Sequence, residues 1–255
     1  MLVLDWRHPS IACGSLGNIV SVAYATEYIR DVLGHDVGVI PSEWHQDVWK
    51  LCIPLNRVFT EAPKADTRLI VPIYPHQDTG WIRNSVIDAG FDMPLDYKVN
   101  PRTCWVHGRN TKRMLLYPRE YHNQNHYFGL DYWQTISKLV ISKGWSIVAM
   151  LDEAPSHRDG IDSLDWCNEF KNRVSTVATF PPTLEGLQSA CSLCELSFGI
   201  FSGASWVLLK STIKQIIISD PTIDHGSLRA TRDCSQIEKQ VFHSIGNSLD
   251  WLGQL

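Results

Sequence analysis

The chain has 255 residues, 44% apolar and 20% charged, with a formal net charge of −4, a globular balance with room for one large or two modest domains. This excludes the overall basic footprint of a strong nucleic-acid binder, and no apolar run reaches the roughly 18 residues of a membrane span. The amino terminus enters a strand-like run with no basic start or apolar leader, so no signal peptide is expected, and seven scattered cysteines suit a reducing, cytoplasmic compartment better than a disulfide framework.

The first apolar run, Leu2–Asp5, predicts a strand. The stretch CGSLGNIVSVAYATEYIR follows, in which Gly14, Ser15 and Gly17 form a small-residue turn into a helix over 16–33, with apolar positions Ile19, Ala23, Ile29 and Val32. Strand, glycine turn and helix together suit an anionic ligand, because the first N–H groups of a helix lack partners within it. Val37–Ile40 and Arg68–Tyr74 (RLIVPIY) predict two more strands, with helices near 43–52 and 79–89. From Gly90 to Gly108, Pro94, Asn100-Pro101 and the absence of a clear period mark a linker. The amino-terminal α/β domain is therefore expected over 1–108, with its linker near 90–108.

The second half alternates more clearly. Arg113–Pro118, Trp145–Leu151, Val174–Phe180, Leu196–Phe201 and Thr212–Ser219 are short apolar runs without strict alternation, as expected of strands buried on both faces. Between them, Asp131 is positioned to cap the helix DYWQTISKLVISKG, with Gly144 as its stop, and Thr183 to cap TLEGLQSACSLCE. Strand alternating with helix implies right-handed crossovers and a parallel sheet of at least five strands. A Rossmann-like domain is expected over 109–235, then a carboxy-terminal helix within 236–255 carrying the stripe Ile237, Val241, Ile245 and Leu249. Of ten tryptophans, Trp44, Trp49, Trp81, Trp133 and Trp145 fall on helix or strand patterns and are expected in the core.

Two stretches carry a resemblance. GSLGNIVSVAYATEYIR is similar to the opening of the heptosyltransferase-like group of GT-B glycosyltransferases, where a Gly-Ser-Leu-Gly-Asp turn starts the first helix. LQSACSLCELSFGIFSGASWVLLKS resembles that group's Ser-Gly turn, which follows a helix and a strand, starts another helix and faces the donor nucleotide. The resemblance implies two Rossmann-like domains facing a cleft, mostly parallel sheets, and a metal-independent glycosyltransferase. It also implies a nucleotide-sugar co-substrate, with no further cofactor. Three positions depart from the pattern. Asn18 stands where the group has an acid credited with acceptor activation, Phe201 where an acid precedes Ser-Gly, and Trp206 where a histidine follows it. An amide hydrogen-bonds but takes no proton at neutral pH.

The donor candidates sit after strands. Ser202, Gly203, Ala204 and Ser205 offer amides and hydroxyls to a diphosphate, Arg119 a bidentate fork, and Asp152 and Glu153 carboxylates for ribose hydroxyls. Each also has a plainer reading, as a strand-to-helix turn, a solvated arginine, and a helix cap or surface pair. Phe180–Thr183 can wall a base pocket, although Thr183 itself reads better as a cap. Gly14, Ser15, Gly17 and Asn18 are candidates for positioning the acceptor or a phosphate. For the general base, Asp78 comes first and His76 second, just past an apolar strand, with Asp5 and His8 as rivals. Cys191 and Cys194 share an apolar helix face with Leu184 and Leu187, so burial accounts for both. His122 and His126 fall in a polar loop, and no metal site is assigned.

Three functions stay open: a glycosyltransferase, a sugar-nucleotide epimerase of the same architecture, and a non-catalytic nucleotide-sugar-binding module. The acceptor is a carbohydrate or a hydroxymethylated base in phage-type DNA. The net charge opposes the DNA acceptor, while Arg102, Arg109, Lys112 and Arg113 favour it as a local phosphate track.

Overall fold

The computed structural model describes residues 1–7, 16–41, 46–61, 63, 68–70, 81–97, 104–118, 129–151, 164–200, 203–218, 240–242 and 245–254. These divide into two compact units, one holding the described residues up to Cys104 and the other those from Trp105 onward.

In the first unit β1 (Leu2–Asp5) lies between β2 (Val37–Ile40) and β3 (Arg68–Ile70). Both pairings are parallel, with Leu2 opposite Val37 on one side and Arg68 on the other. All four residues of β1 are buried, as the central strand of a covered parallel sheet requires. The expected strand over 68–74 is described only to Ile70. Helix α1 (Leu16–Asp31) packs against α2 (Gln46–Cys52) and α3 (Trp81–Asp88). From Ile19 to Ile29 every residue of α1 is buried, so it is a core helix without an exposed polar stripe. Its buried hydroxyl is satisfied: Thr26 Oγ1 donates to Val22 O at 2.9 Å and accepts from Trp6 Nε1 at 3.1 Å. Val32, expected on the apolar face, is 51% exposed because the helix ends one residue before it.

The second unit is built on six parallel strands: β4 (Arg113–Tyr117), β5 (Ser146–Met150), β6 (Ala178–Phe180), β7 (Leu196–Ile200), β8 (Lys214–Ile218) and β9 (Gln240–Phe242). Their spatial order is β6-β5-β4-β7-β8-β9, the doubly wound order of a Rossmann sheet, with β4 and β7 adjacent where the winding reverses. Helices α4 (Leu130–Ser142), α5 (Leu164–Arg173) and α8 (Ile245–Leu252) contribute to one core with Met114, Leu116, Ile147, Ala149, Leu196, Phe198 and Ile216 from the strands. Trp133 of α4 meets Phe198 edge-on, ring centroids 6.2 Å apart. Helix α6 (Leu184–Leu193) packs on β4, β5 and β6. It is followed after β7 by the short α7 (Gly203–Val207) and one 3-10 turn, Leu208–Lys210.

Local chemistry sets several helix ends. Thr183 caps α6, its Oγ1 accepting from Gly186 N at 3.1 Å. Gly144 stops α4 at φ 80°, and Trp145 N reaches back to Val140 O at 3.2 Å, the closure that a left-handed residue permits. Asp131 is not the cap of α4. Gly129 holds that position in extended conformation, while Asp131 lies in the first turn, accepting from Arg173 Nη1 at 2.8 Å. A carboxylate there still opposes the positive end of the helix dipole.

The expected single helix carrying the stripe Ile237 to Leu249 is also corrected. Gln240–Phe242 pairs in parallel with β8, Ile216 opposite Gln240, and the helix begins only at Ile245. The exposed edge of β8 offers backbone hydrogen bonds, and Val241-Phe242 is a strand-favouring pair. From this helix Leu249 of the expected stripe packs on the core, together with Trp251 and Leu252.

Candidate functional site

Because all six strands run the same way, their carboxyl ends define one edge of the sheet. β4 ends at Tyr117, β5 at Met150, β6 at Phe180 and β7 at Ile200. The segments that follow hold Arg119, Asp152-Glu153, Pro181–Thr183 and Ser202–Ser205, so the sequence reading gathers its donor candidates at the edge where open α/β sheets bind ligands. Two of these segments flank the switch point, where Tyr117 pairs with Gly199. Arg119, Asp152, Glu153 and Ser202 themselves lie outside the described residues. Gly203 opens α7, Ala204 is half-buried and Ser205 is buried. Burial takes the Ser205 hydroxyl away from solvent. Trp206, at the position the resemblance equates with a histidine, is 2% exposed and is part of the interior. Thr183 is engaged as the α6 cap.

At the carboxyl end of β1 the described chain carries an ion pair that the sequence reading did not single out. Arg7 donates from Nε to Asp5 Oδ1 at 2.9 Å and from Nη2 to Oδ2 at 2.6 Å, and its backbone N–H donates to Oδ1 at 3.1 Å. The side chain of Asp5 is 11% exposed and that of Arg7 52%. The hydrogen bond from Arg7 holds the Asp5 carboxyl below the ordinary aspartate value, outweighing the opposing effect of burial. A carboxylate with both oxygens engaged and its pKa lowered is a poor proton acceptor, so Asp5 loses ground as the rival base. One signal for the pair was available: residues i and i+2 of an extended chain project to the same side, and Asp5 and Arg7 have that spacing. Gly17 and Asn18 fall in the first turn of α1, which has no acidic residue. Gly14, Ser15, His8, His76 and Asp78 lie outside the described residues.

Cys191 of α6 and Cys194, which follows the helix as its extended C-cap and not on its face, are buried and free. Burial pushes the Cys191 thiol up to about 11, and that of Cys194 up to about 12. Cys191 Sγ lies 3.1 Å from Ser211 Oγ, the environment of an inert core thiol. Among the described residues no group of three or more His, Cys, Asp or Glu side chains is arranged to hold a metal; His122 and His126 lie outside them. Arg109 and Lys112 precede β4 and Arg113 begins it, which puts these cations at the amino edge of the sheet, opposite the carboxyl edge. They therefore lend no support to a DNA acceptor at the carboxyl edge; Arg102 is outside the described residues. No described helix is long and apolar enough to cross a membrane.

No protein-family model matches the chain, and no curated protein matches it. Solved structures do. The iron-containing dodecameric glycosyltransferase TibC from enterotoxigenic E. coli is 13% identical, with a TM-score of 0.53 over 86% of this chain and 58% of that one. The chain thus spans less than two thirds of TibC. E. coli ADP-heptose lps heptosyltransferase II is 10% identical, with a TM-score of 0.64 over 99% of this chain and 97% of that one. E. coli heptosyltransferase WaaC, in a structure with ADP, is 9% identical, with a TM-score of 0.63 over 100% and 99% of the two chains. The α/β chain with parallel, Rossmann-like sheets therefore has the fold of the heptosyltransferase-like glycosyltransferases, the group its two short stretches resemble.

Proposed function

We propose that the chain is a glycosyltransferase that moves a sugar from a nucleotide-sugar donor to a hydroxyl acceptor. The observation that carries this reading is the strand order of the second unit. It sets β4 beside β7 at the switch point, with Arg119 following one strand end and the Ser202–Ser205 turn the other. On this reading Arg119 and the amides of residues 202–205 bind the diphosphate, and Asp152 and Glu153 accept from ribose hydroxyls. The neighbours that hold ADP, or in the case of TibC ADP-D-beta-D-heptose, agree with a nucleotide-sugar ligand.

The reaction is a displacement at the anomeric carbon. The acceptor hydroxyl gives its proton to Asp78, with His76 as second choice. Its oxygen bonds to the anomeric carbon, the bond from that carbon to the diphosphate oxygen breaks, and the nucleoside diphosphate leaves with the electron pair. Arg119 and the backbone amides stabilise the charge on the leaving group, so no metal is assigned to this step and no cofactor beyond the co-substrate. Gly14, Ser15, Gly17 and Asn18 position the acceptor or a phosphate. Residues 1–108 form the acceptor side and 109–235 the donor side, and a carbohydrate is the favoured acceptor over a modified base. A cytoplasmic location suits a nucleotide-sugar consumer. The second reading, a non-catalytic nucleotide-sugar-binding module, draws on Asn18 and on the interior position of Trp206.

A thermal-shift panel of nucleotide sugars tests the donor assignment, since a ligand that binds only the folded state raises Tm. A shift with one nucleotide class, followed by sugar transfer to a carbohydrate acceptor, is expected. A shift without transfer to any acceptor selects the binding-module reading, and no shift with any nucleotide overturns both.

A further inference from the structure

Strand alternation divides the side chains of the second sheet between its two faces. Met114, Leu116, Leu196, Phe198 and Ile216 belong to the core with α4, α5 and α8. Tyr117 of β4, Ser197 and Gly199 of β7 and Gln215 of β8 therefore lie on the other face, Tyr117 beside Gly199 and Ser197 beside Gln215. Gly199 lets the Tyr117 ring lean across β7: a Cβ at 199 would fall 2.2 Å from both Cδ2 and Cε2 of the ring. The Tyr117 hydroxyl reaches Ser197, a contact that offsets part of the effect of burial on the phenol. Polar groups from three adjacent strands thus gather over β7.

All three side chains are buried, those of Ser197 and Gln215 completely, yet their hydrogen bonding is incomplete. Neither Oε1 nor Nε2 of Gln215 has a hydrogen-bond partner among the described residues, and the contact of the Tyr117 hydroxyl with Ser197 lacks normal hydrogen-bond geometry. Ser197 Oγ donates to Lys214 O at a long 3.4 Å, which leaves its lone pairs to accept. A primary amide taken out of water with nothing in exchange is costly, and Gln215 stands in a strand whose next three residues are isoleucine. Serine and glycine are what β7 puts on this face, so little of the volume above the strand is filled from the strand itself. Tyr117 takes the part over Gly199, and the part over Ser197 is bordered by the phenol and the amide.

We propose that Gln215, Ser197 and Tyr117 form an internal water site on this face of the sheet, the water joining the amide of β8 to the hydroxyls of β7 and β4. Water fits the chemistry because it both donates and accepts, as an amide and two hydroxyls require. Buried water makes about three hydrogen bonds to polar groups that the protein leaves unmatched. The three side chains bring no charge, which disfavours an ion. The site ties together three neighbouring strands and is independent of the donor assignment.

Rotating-frame cross-relaxation between water and protein, measured by NMR on the isotope-labelled full chain, separates a held water from chemical exchange by the sign of the peak. A cross-relaxation peak from water to the Nε2 hydrogens of Gln215 is expected. Gln215→Met is close in size and removes both polar atoms. It is expected to lower Tm by about 2–4 °C, the shift that accompanies one hydrogen bond lost from a chain of this size. For an amide with no partner the sign is different, because an apolar group of the same shape is then neutral or stabilising. An unchanged or raised Tm for Gln215→Met therefore overturns the inference. So does a parent chain without the cross-relaxation peak, a measurement that stands even if the variant does not fold.

Discussion

Replacing Asp5 by asparagine tests whether the carboxylate at the end of β1 is structural or catalytic. The side chain keeps its shape but loses its charge, and the oxygen that accepts from Arg7 Nη2 at 2.6 Å becomes an amide nitrogen that meets the guanidinium donor to donor. Oδ1 still accepts from Nε and from the backbone N–H. Hydrogen bonds to charged groups contribute about 1.5–3 kcal/mol, and the half-exposed Arg7 lowers this through solvent screening. The expected loss is about 1–2 kcal/mol at neutral pH. Because the folded pKa of Asp5 lies below its unfolded value, the charge contributes stability above the ordinary aspartate value of about 3.9. That contribution is lost as pH falls through the lower folded value. Parent and variant should therefore differ in urea unfolding at pH about 7 and converge in acid, where the parent's carboxyl is protonated too. Transfer activity should survive in the folded variant. Equal stability at neutral pH, a gap that persists in acid, or a hundredfold loss of turnover with stability intact would each refute a structural role for Asp5.

Thr183→Ala removes the cap of α6 and should cost about 1 kcal/mol in urea unfolding, with nucleotide affinity unchanged. Trp133→Ala empties the centre of the second unit's core and should cost about 3–5 kcal/mol by the same measurement. Arg119→Ala should weaken nucleotide-sugar binding in a titration while leaving Tm nearly unchanged, as is usual for a substitution away from packed features; unaltered affinity removes Arg119 from the site. Asp78→Asn should cut turnover by about 10²–10⁴-fold with donor binding kept, and full activity in that variant moves the base to His76 or His8.

What the sequence made legible follows from how local each signal is. β1 and β2 were readable to the residue, because Leu2–Leu4 is an apolar run closed by Asp5, and Val37–Ile40 lies between Asp36 and Pro41. Thr183 and Gly144 were readable because caps and left-handed stops depend on a few neighbouring backbone groups. The reading of Asp131 as a cap was displaced by two positions because a glycine can also open a helix, and the side chain's partner, Arg173, comes from another helix. The strand at 240–242 was hidden because β8's free edge, not the local period, selects it. Tyr117 and Gly199 become partners only through the register of two strands far apart in sequence. The donor candidates were legible in location, since they follow strands, but their geometry belongs to turns whose course no periodicity specifies.

Two of the three departures, Trp206 and Asn18, have physical readings consistent with the proposed function; Phe201 lies outside the described residues. Trp206 is buried, as are Val207, Leu208 and Leu209 after it, so this segment is committed to the interior, and a histidine's charge there would have to be taken out of water. In the proposed reaction the charge of a departing diphosphate would fall to Arg119 and to backbone amides, which carry no desolvation penalty of an ion. At the start of α1, Asn18 leaves the first turn without an acidic residue. A carboxylate in that turn would itself compensate the positive end of the helix and compete with a ligand's anion for it. An asparagine leaves that end to the ligand and gives up only proton abstraction, which the reaction then requires from elsewhere. On this account the chain separates two tasks that one acid performs in the group it resembles. Asn18→Asp should weaken any anion held at α1 while leaving turnover dependent on Asp78; a variant freed from its dependence on Asp78 would show that the tasks were never divided.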